Sequence, residues 1–339
     1  MIAMTEDTNV VKTSGAETLS VLVRQIRFEG KGINSYELTD PSGAELPPFT
    51  SGAHIDIHLE LPTGGRTLRQ YSLCNDPAER RRYVIAVLND ASGRGGSTGL
   101  HDTLHVQDIV TIGRPRNNFT LDESAARVIL LAGGIGVTPL KSMAHRLESA
   151  GIDYELHYCA KDRAFTAFED ELASLAERGR LHYHFDGGDP SRGLDLKQLL
   201  ETPSPGTHVY YCGPSGFMKA CADAAADWDT KLVHCEHFKA PVDPAAALSA
   251  VPAGGFVVEI ASSGRRIEIG PDESVADKLN EVGVPIETSC QSGLCGTCKT
   301  RYTAGKVDHR DYILDDAERD EYITLCVSRC ESELLVLDL

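Results

Sequence analysis

The most constraining feature of the chain is the segment Ser289-Cys290-Gln291-Ser292-Gly293-Leu294-Cys295-Gly296-Thr297-Cys298, a C-x4-C-x2-C run, with a further cysteine at Cys326 after Ile323-Thr324-Leu325. This is the plant-type spacing for a [2Fe-2S] cluster, in which one loop gives three thiolates and a distant element gives the fourth. Three sulfurs converge on so small a centre only if the backbone wraps tightly, and Gly293 and Gly296 allow the unusual dihedrals of such a wrap. Structural zinc sites more often join two close cysteine pairs, whereas Cys326 is unpaired at that spacing, so zinc is the weaker reading. Cys330 is a rival fourth ligand. Cys326 is preferred because it closes an apolar strand-like run, while Cys330 lies among Arg329, Glu331 and Ser332.

A chain of 339 residues is long enough for two or three domains, each with its own core. A net charge of −17 argues against a nucleic-acid partner, which demands a basic face. No run of about 18 apolar residues is present, so no membrane span is expected. Met1 to Thr18 is polar without an apolar centre, which reads as a disordered tail and neither a signal nor a transit peptide. Ten cysteines in so large a chain read as thiols, four of them on metal, and a cytoplasmic enzyme is expected.

Residues 19–123 carry short strand signals over Leu19-Glu29, Ile33-Thr39, His54-Leu61, Thr67-Ser72, Tyr83-Leu88 and Asp108-Ile112, broken by turn residues. Ala53-His54-Ile55-Asp56-Ile57-His58-Leu59-Glu60 alternates as a half-buried strand does, and the set predicts an antiparallel β-barrel. Arg69-Gln70-Tyr71-Ser72 and Gly93-Arg94-Gly95-Gly96-Ser97-Thr98 lie within it. Alone, each is compatible with a strand end and a hairpin loop. Together they suit a flavin: Tyr71 offers a flat face, Ser72 a hydroxyl for a ring nitrogen, Arg69 a fork for phosphate, and the glycines a close backbone approach to phosphate oxygens.

From residue 124 to 239 the pattern becomes alternating buried strands and helices. Val128-Ile129-Leu130-Leu131-Ala132 is a parallel-type strand that runs into Gly133-Gly134-Ile135-Gly136-Val137-Thr138-Pro139, after which Leu140, Met143, Ala144 and Leu147 fall at helical spacing. Strand, glycine turn and helix place dinucleotide phosphates at a helix N-terminus. Further strands are expected at Tyr154-Cys159, Leu181-Phe185, His208-Cys212 and Leu232-Phe238. Helices are expected at Phe168-Glu177 and Leu194-Leu200, and from Ser215 through Trp228. The result is a parallel-sheet α/β nucleotide-binding domain whose ligand lies at the carboxyl ends of the strands, where the Gly133 loop and the Cys212-Gly213-Pro214-Ser215 turn both sit. Cys212 is also compatible with a small buried hydrophobe. Residues 240–255, rich in Ala, Pro and Gly, read as a linker. Residues 256–339 alternate again around a helix near Asp272-Ser274 and close on Leu334-Leu337. The Asp308-His309-Arg310-Asp311 stretch reads as a charged loop, and His309 lacks the paired ligands of a Rieske centre.

Taken in order, Arg69-Gln70-Tyr71-Ser72, Gly133 to Pro139 with Cys212-Gly213-Pro214, and Cys290/Cys295/Cys298/Cys326 resemble the phthalate dioxygenase reductase family from about Leu19 to Leu339, as do Arg114-Pro115-Arg116-Asn117-Asn118-Phe119 and Asp308 to Asp311. The resemblance implies an FMN-binding barrel, an NAD domain and a C-terminal β-grasp ferredoxin domain. FMN rather than FAD follows from the ferredoxin coming last. Arg69, Gln70, Tyr71, Ser72, Ala86, Val87, Leu88, Gly95, Gly96, Ser97 and Thr98 would hold the flavin, together with Thr138 and Phe238. Gly133, Gly134, Gly136, Asp162, Cys212, Gly213 and Pro214 would hold the nucleotide. Ser72, Thr138, Cys212, Glu236 and Phe238 would surround the point where nicotinamide meets the ring. Lys161, Asp162 and Arg163 leave NADH and NADPH both open, with NADH preferred. The implied activity is a monomeric reductase that sends electrons from nicotinamide through flavin and cluster to a separate terminal oxygenase, either a Rieske-type aromatic oxygenase or O-demethylase, or a cytochrome P450. Other readings are a redox sensor without turnover and a flavin reductase with a zinc-loaded tail.

Overall fold

The computed structural model describes residues 10–13, 16–60, 66–91, 95–240 and 255–339. The chain divides into two compact units, Met1–Phe238 and Lys239–Leu339.

The first unit opens with β1 (Val10–Thr13), β2 (Ala16–Gly30), β3 (Ile33–Thr39), β4 (His54–Glu60), β5 (Arg66–Ser72), β6 (Tyr83–Leu88), α1 (Gly96–Thr103) and β7 (Ile109–Gly113). These strands form one antiparallel sheet in the order β5-β4-β7-β2-β3-β6, with β1 paired to β2. The sheet curls on itself: just beyond β5 the amide of Cys74 donates to the carbonyl of Val84 on β6 at 2.9 Å. Inside lie Val21, Val23, Tyr36, Leu38, Ile55, Ile57, Tyr83 and Ile85, the alternate residues of their strands.

Three local expectations change here. The stretch read as a disordered tail is partly paired, since Val10–Thr13 runs antiparallel to Ala16–Leu19, as its β-branched residues favour; residues 1–9 lie outside the description. The polar positions of β4 do not all face water. His58 is exposed, but His54 and Asp56 are buried, and Asp56 is neutralised by Arg116 at 2.6 Å and hydrogen-bonded by Gln70 at 3.2 Å. The glycine-rich stretch is only half a loop. Gly96, Ser97 and Thr98 form the first turn of α1, with Gly95 before it at φ 78°.

The unit continues with β8 (Arg127–Gly133), α2 (Val137–Ala150), β9 (Asp153–Ala160), α3 (Glu169–Glu177), β10 (Leu181–Phe185), α4 (Leu196–Leu200), β11 (Thr207–Cys212), α5 (Ser215–Ala224) and β12 (Val233–Glu236). All five strands are parallel, in the order β10-β9-β8-β11-β12. Both faces are covered, as the unbroken apolar run of β8 requires. Val128, Leu130 and Ala132 pack on Leu140, Met143, Ala144 and Leu147 of α2, and Ile129 and Leu131 share a cluster with Leu200, Met218 and Cys221. Because β9 and β11 flank β8, the carboxyl end of β8 is the point where strand order reverses and a crevice opens. α5 stops at Ala224, short of the expected Trp228, whose indole N–H instead donates to the Leu200 carbonyl at 2.8 Å.

The second unit holds β13 (Phe256–Ile260), β14 (Arg265–Ile269), α6 (Val275–Glu281), β15 (Lys299–Ala304), β16 (Val307–Asp308), α7 (Asp316–Arg319), β17 (Tyr322–Thr324), β18 (Arg329–Cys330) and β19 (Leu334–Leu337). The main sheet runs β14-β13-β19-β15-β17, parallel only between β13 and β19. It packs on Val275, Ala276 and Leu279 of α6, the β-grasp arrangement. Ser274 caps α6 by accepting from Asp277 N, so the helix begins where the capping residue predicts. Asp308, expected in a loop, belongs to β16 and pairs with Arg329. The expected linker lies almost wholly outside the described residues.

Candidate redox site

On the barrel side, Arg69 and Tyr71 project from β5 on the face opposite to Gln70. The guanidinium of Arg69 bonds Thr67 and the Leu68 carbonyl, and its stem lies across Gly96 so closely that a Cβ there would fall 2.2 Å from Arg69 Nε. A larger residue at that point would have to displace the Arg69 side chain. The first turn of α1 carries no side-chain cap and follows the left-handed Gly95, with Gly96 beside Arg69. This arrangement suits a phosphate monoester. Burial pushes the Tyr71 phenol above its ordinary range, so it stays neutral. Not every expected flavin contact points the same way. Gln70 is turned to Asp56 and His54; the Ser97 hydroxyl accepts from Asp90 N at 3.1 Å; Thr98 donates to Asn89. Ala86 and Val87 are buried and Leu88 is 39% exposed, with the Val87 carbonyl bonded to His101.

On the nucleotide side, two loops meet at the carboxyl ends of β8 and β11. A Cβ on Gly136 would stand 2.1 Å from the Cys212 carbonyl oxygen, and one on Gly213 would stand 2.7 Å from Phe217 and 3.0 Å from Gly133 Cα. The Gly133 loop and the Cys212-Gly213-Pro214 turn are therefore in backbone contact, a closeness side chains would prevent. Gly134 adopts φ 54° at the start of the turn, and α2 begins without a side-chain cap or an acidic residue in its first turn. The N-terminus of a helix so placed, with the Val137 N–H turned back to the Gly134 carbonyl, suits a pyrophosphate. Thr138 is buried with its hydroxyl on the Ile135 carbonyl at 3.0 Å, so it holds the loop's shape. Asp162 caps the turn after β9 by accepting from Ala164 N at 2.9 Å, and Arg163 is paired with Glu169 at 2.8 Å.

The two sides converge at one place. Ser72 Oγ, at the end of a barrel strand, donates to Glu236 Oε2 at 3.2 Å, and Glu236 is the strand partner of Cys212. Burial raises the Glu236 carboxyl to about 7, although the Ser72 hydrogen bond pulls it the other way. The Cys212 thiol is fully buried, and desolvation lifts its pKa well above the usual thiol range, so it is a neutral, compact wall. Phe238 follows two residues after Glu236 and is 40% exposed. A protonatable carboxyl, a hydroxyl and a small thiol around a crevice with glycine loops can bind and orient a nicotinamide against a planar ring. None of them is arranged as a nucleophile with its base.

In the second unit the four expected cysteines come together. Cys290 hydrogen-bonds Cys295 and Cys326, and Cys298 also bonds Cys326. The amides of Ser292 and Leu294 point at Cys290 Sγ from 3.4 and 3.3 Å, and Thr297 Oγ1 lies 3.2 Å from Cys295 Sγ. Gln291, Gly293 and Gly296 all have positive φ, which is the wrap that the spacing demanded. Bonds from Cys295 and Cys326 hold the Cys290 thiol far below its ordinary pKa, while the same bonds raise the thiols of Cys295 and Cys326, so the protons are shared unevenly among the four sulfurs. No group of three or more His, Cys, Asp or Glu among the described residues forms a ready single-ion site; the thiols touch pairwise, and a diiron core would have to part them. Cys330 faces elsewhere, with its sulfur on Ser332 Oγ at 3.1 Å and the Leu334 carbonyl. His309 is directed to Asp311.

Sequence reasoning missed the pairing of the buried Asp56 with the half-exposed Arg116. Its signal was an acidic residue repeated on one face of β4 together with an arginine after β7.

Comparison with known proteins agrees with this layout. Residues 130–223 match the oxidoreductase NAD-binding domain and residues 258–331 the 2Fe-2S iron-sulfur cluster binding domain. The chain is 53% identical over 327 residues to the tert-butanol monooxygenase / tert-amyl alcohol desaturase reductase subunit of Aquincola tertiaricarbonis, covering 95% of this chain and 96% of that one. It is 43% identical over 310 residues to phthalate dioxygenase reductase of Burkholderia cepacia, covering 91% and 94%. The solved structure of a phthalate dioxygenase reductase superposes with a TM-score of 0.70 at 42% identity, covering 95% of this chain and 98% of that one. An intact type IV self-sufficient cytochrome P450 monooxygenase matches with a TM-score of 0.82 at 35% identity, over 94% of this chain but 41% of that longer one.

Proposed function

Because the chain belongs to the phthalate dioxygenase reductase family, we propose that it is an NADH-dependent reductase with FMN in its barrel and a [2Fe-2S] cluster on Cys290, Cys295, Cys298 and Cys326, serving a separate terminal oxygenase. When bound, the flavin accepts hydride and releases electrons one at a time to the cluster.

The chain's own residues bind, orient and exclude water. Arg69 and the amides of Gly95 to Thr98 hold the phosphate, Tyr71 lies against the ring, and Ser72 offers its hydroxyl to a ring nitrogen. The Gly133 loop, Gly213 and the α2 N-terminus take the pyrophosphate. Thr138 fixes that loop, Cys212 leaves room beside the nicotinamide, and Phe238 covers the ring. Glu236 holds a proton near neutral pH and keeps Ser72 in place. Arg163 already has Glu169 as a partner at 2.8 Å, which supports NADH over a nucleotide with a 2′-phosphate.

The observation that carries this reading is the 3.2 Å contact of Ser72 with Glu236. It brings the proposed flavin strand onto the proposed nicotinamide strand. The test is the visible spectrum of purified protein with flavin, iron and sulfide analysis, followed by anaerobic NADH titration. Flavin and cluster should bleach together; a yellow protein without iron, or a cluster that stays oxidised after the flavin is reduced, defeats the reading.

For the acceptor, the reductases of phthalate and vanillate systems among the relatives favour a Rieske-type aromatic oxygenase or O-demethylase. A cytochrome P450 is the second reading, supported by the self-sufficient enzyme that contains a similar segment. Offering the NADH-reduced protein each acceptor under anaerobic conditions separates them.

A further inference from the structure

One charged side chain near this crevice has no part in the scheme above. Lys141 is 2% exposed, on α2 three residues beyond Thr138, among Leu140, Met143 and Ala144, which are all buried. Its ammonium donates to the Cys74 carbonyl at 3.0 Å, pairs with Glu171 at 2.8 Å, and stands 4.8 Å from the centre of the Phe168 ring. Phe168 is itself forced into the left-handed region, φ 62°, and its amide points at Glu29 of β2. An aromatic residue adopts that conformation only where its surroundings demand it. Glu171 is 41% exposed, so only the ammonium is buried; burying a charge in such a pair is a poor source of stability, since an apolar side chain of similar volume usually serves as well or better. The arrangement therefore calls for another reason.

That reason lies in what the ammonium joins. Cys74 is two residues beyond Ser72, and its amide and thiol both bond the Val84 carbonyl, so its position is fixed in the barrel. α2 carries the nucleotide loop at its start. We propose that Lys141 is a positioning residue for hydride transfer: it sets the span between the barrel strand that bears Ser72 and the helix that bears Thr138, and so the stacking distance of nicotinamide on flavin. This rests on the functional reading above. Reacting atoms must approach within a narrow range, and a displacement near 1 Å costs on the order of a hundredfold in rate.

The experiment is anaerobic stopped-flow reduction of the holoprotein by NADH and by NADH deuterated at the transferred position, together with thermal unfolding, for wild type, Lys141→Met and Glu171→Gln. Lys141→Met should keep its flavin and cluster spectra and melt close to wild type. Its limiting rate of flavin reduction should fall about tenfold or more, with a larger isotope effect and an NADH dissociation constant changed by less than about twofold. Glu171→Gln keeps the Lys141–Cys74 bond but leaves the charge unpaired. It should melt earlier yet reduce within about twofold of wild type. A purely structural ion pair predicts the reverse ranking, with the less stable variant the slower. A wild-type rate in Lys141→Met overturns the proposal, and so does a tenfold loss in Glu171→Gln, which decides alone if Lys141→Met does not accumulate. A wild-type protein that carries flavin but is not reduced by NADH defeats the functional reading itself, a result distinct from any variant's.

Discussion

Ser72 and Glu236 meet from positions 164 residues apart, and each gives a different handle on the site. Ser72→Ala removes the hydroxyl but no backbone contact. It should slow flavin reduction by roughly tenfold in stopped flow while iron and sulfide content stay unchanged. Glu236 makes a prediction about pH. Its carboxyl titrates near 7 in the folded protein against an ordinary value of 4.5, so between those values the folded state keeps a proton that the unfolded state has lost. Stability from this group is complete below about 4.5 and declines as pH rises through 7. Glu236→Gln, which cannot ionise, should gain on wild type by about 1–3 kcal/mol between pH 4.5 and 8, read as the difference in denaturation midpoints at the two ends. Equal pH slopes would show that the carboxyl is not shifted. In the other unit, Cys326→Ser should lose the cluster absorbance and Cys330→Ala should keep it, because Cys326 touches Cys290 and Cys298 whereas the Cys330 sulfur is turned to Ser332. The cysteine ligands were legible in the sequence because three of the four lie within nine residues, close enough for spacing alone to report geometry. Lys141 was not: it sits inside an apolar stripe whose periodicity gives no hint of what the ammonium meets across the fold.

Secondary elements were legible where local chemistry and burial agree. The strands Ile33–Thr39, Tyr83–Leu88, Leu181–Phe185 and Leu334–Leu337 fall where the sequence pattern places them. α1 was read as loop because Gly95, Gly96 and Gly99 are poor helix formers. The helix stands because Leu100 is buried and the amide of Gly99 bonds the Gly95 carbonyl. The polar face of β4 is misjudged for a related reason: an alternating strand looks half-solvated whether its acid meets water or an arginine from beyond β7. The glycine turns make the element-scale prediction. Gly136→Ala places a methyl carbon 2.1 Å from the Cys212 carbonyl, and no flexible side chain is there to yield. The two loops must part, so the variant should unfold earlier by about 1–3 kcal/mol and raise the KM for NADH more than it lowers kcat with saturating NADH. An unchanged KM would mean that the crevice does not hold the nucleotide.

At the scale of the molecule, the two units have separate cores. Barrel and parallel sheet share apolar clusters within Met1–Phe238, and Phe256, Ile267, Leu279, Ile323 and Leu335 form another within the second unit. A chain ended after residue 239 should therefore still bind flavin and oxidise NADH with ferricyanide, while losing transfer to a one-electron protein acceptor by at least about a hundredfold; loss of both activities would show that the first unit depends on the second. A change in composition around residues 240–255 was visible beforehand, although those residues lie almost wholly outside the described ones. The partners of each core were not visible, since they are set by contacts distant in sequence. Each unit is one continuous stretch of sequence, divided at Phe238 and Lys239. Exchanging one half for a counterpart of different ancestry would leave every backbone ladder whole, and the part that collects reducing power and the part that hands it on are free to be inherited, fused or replaced independently.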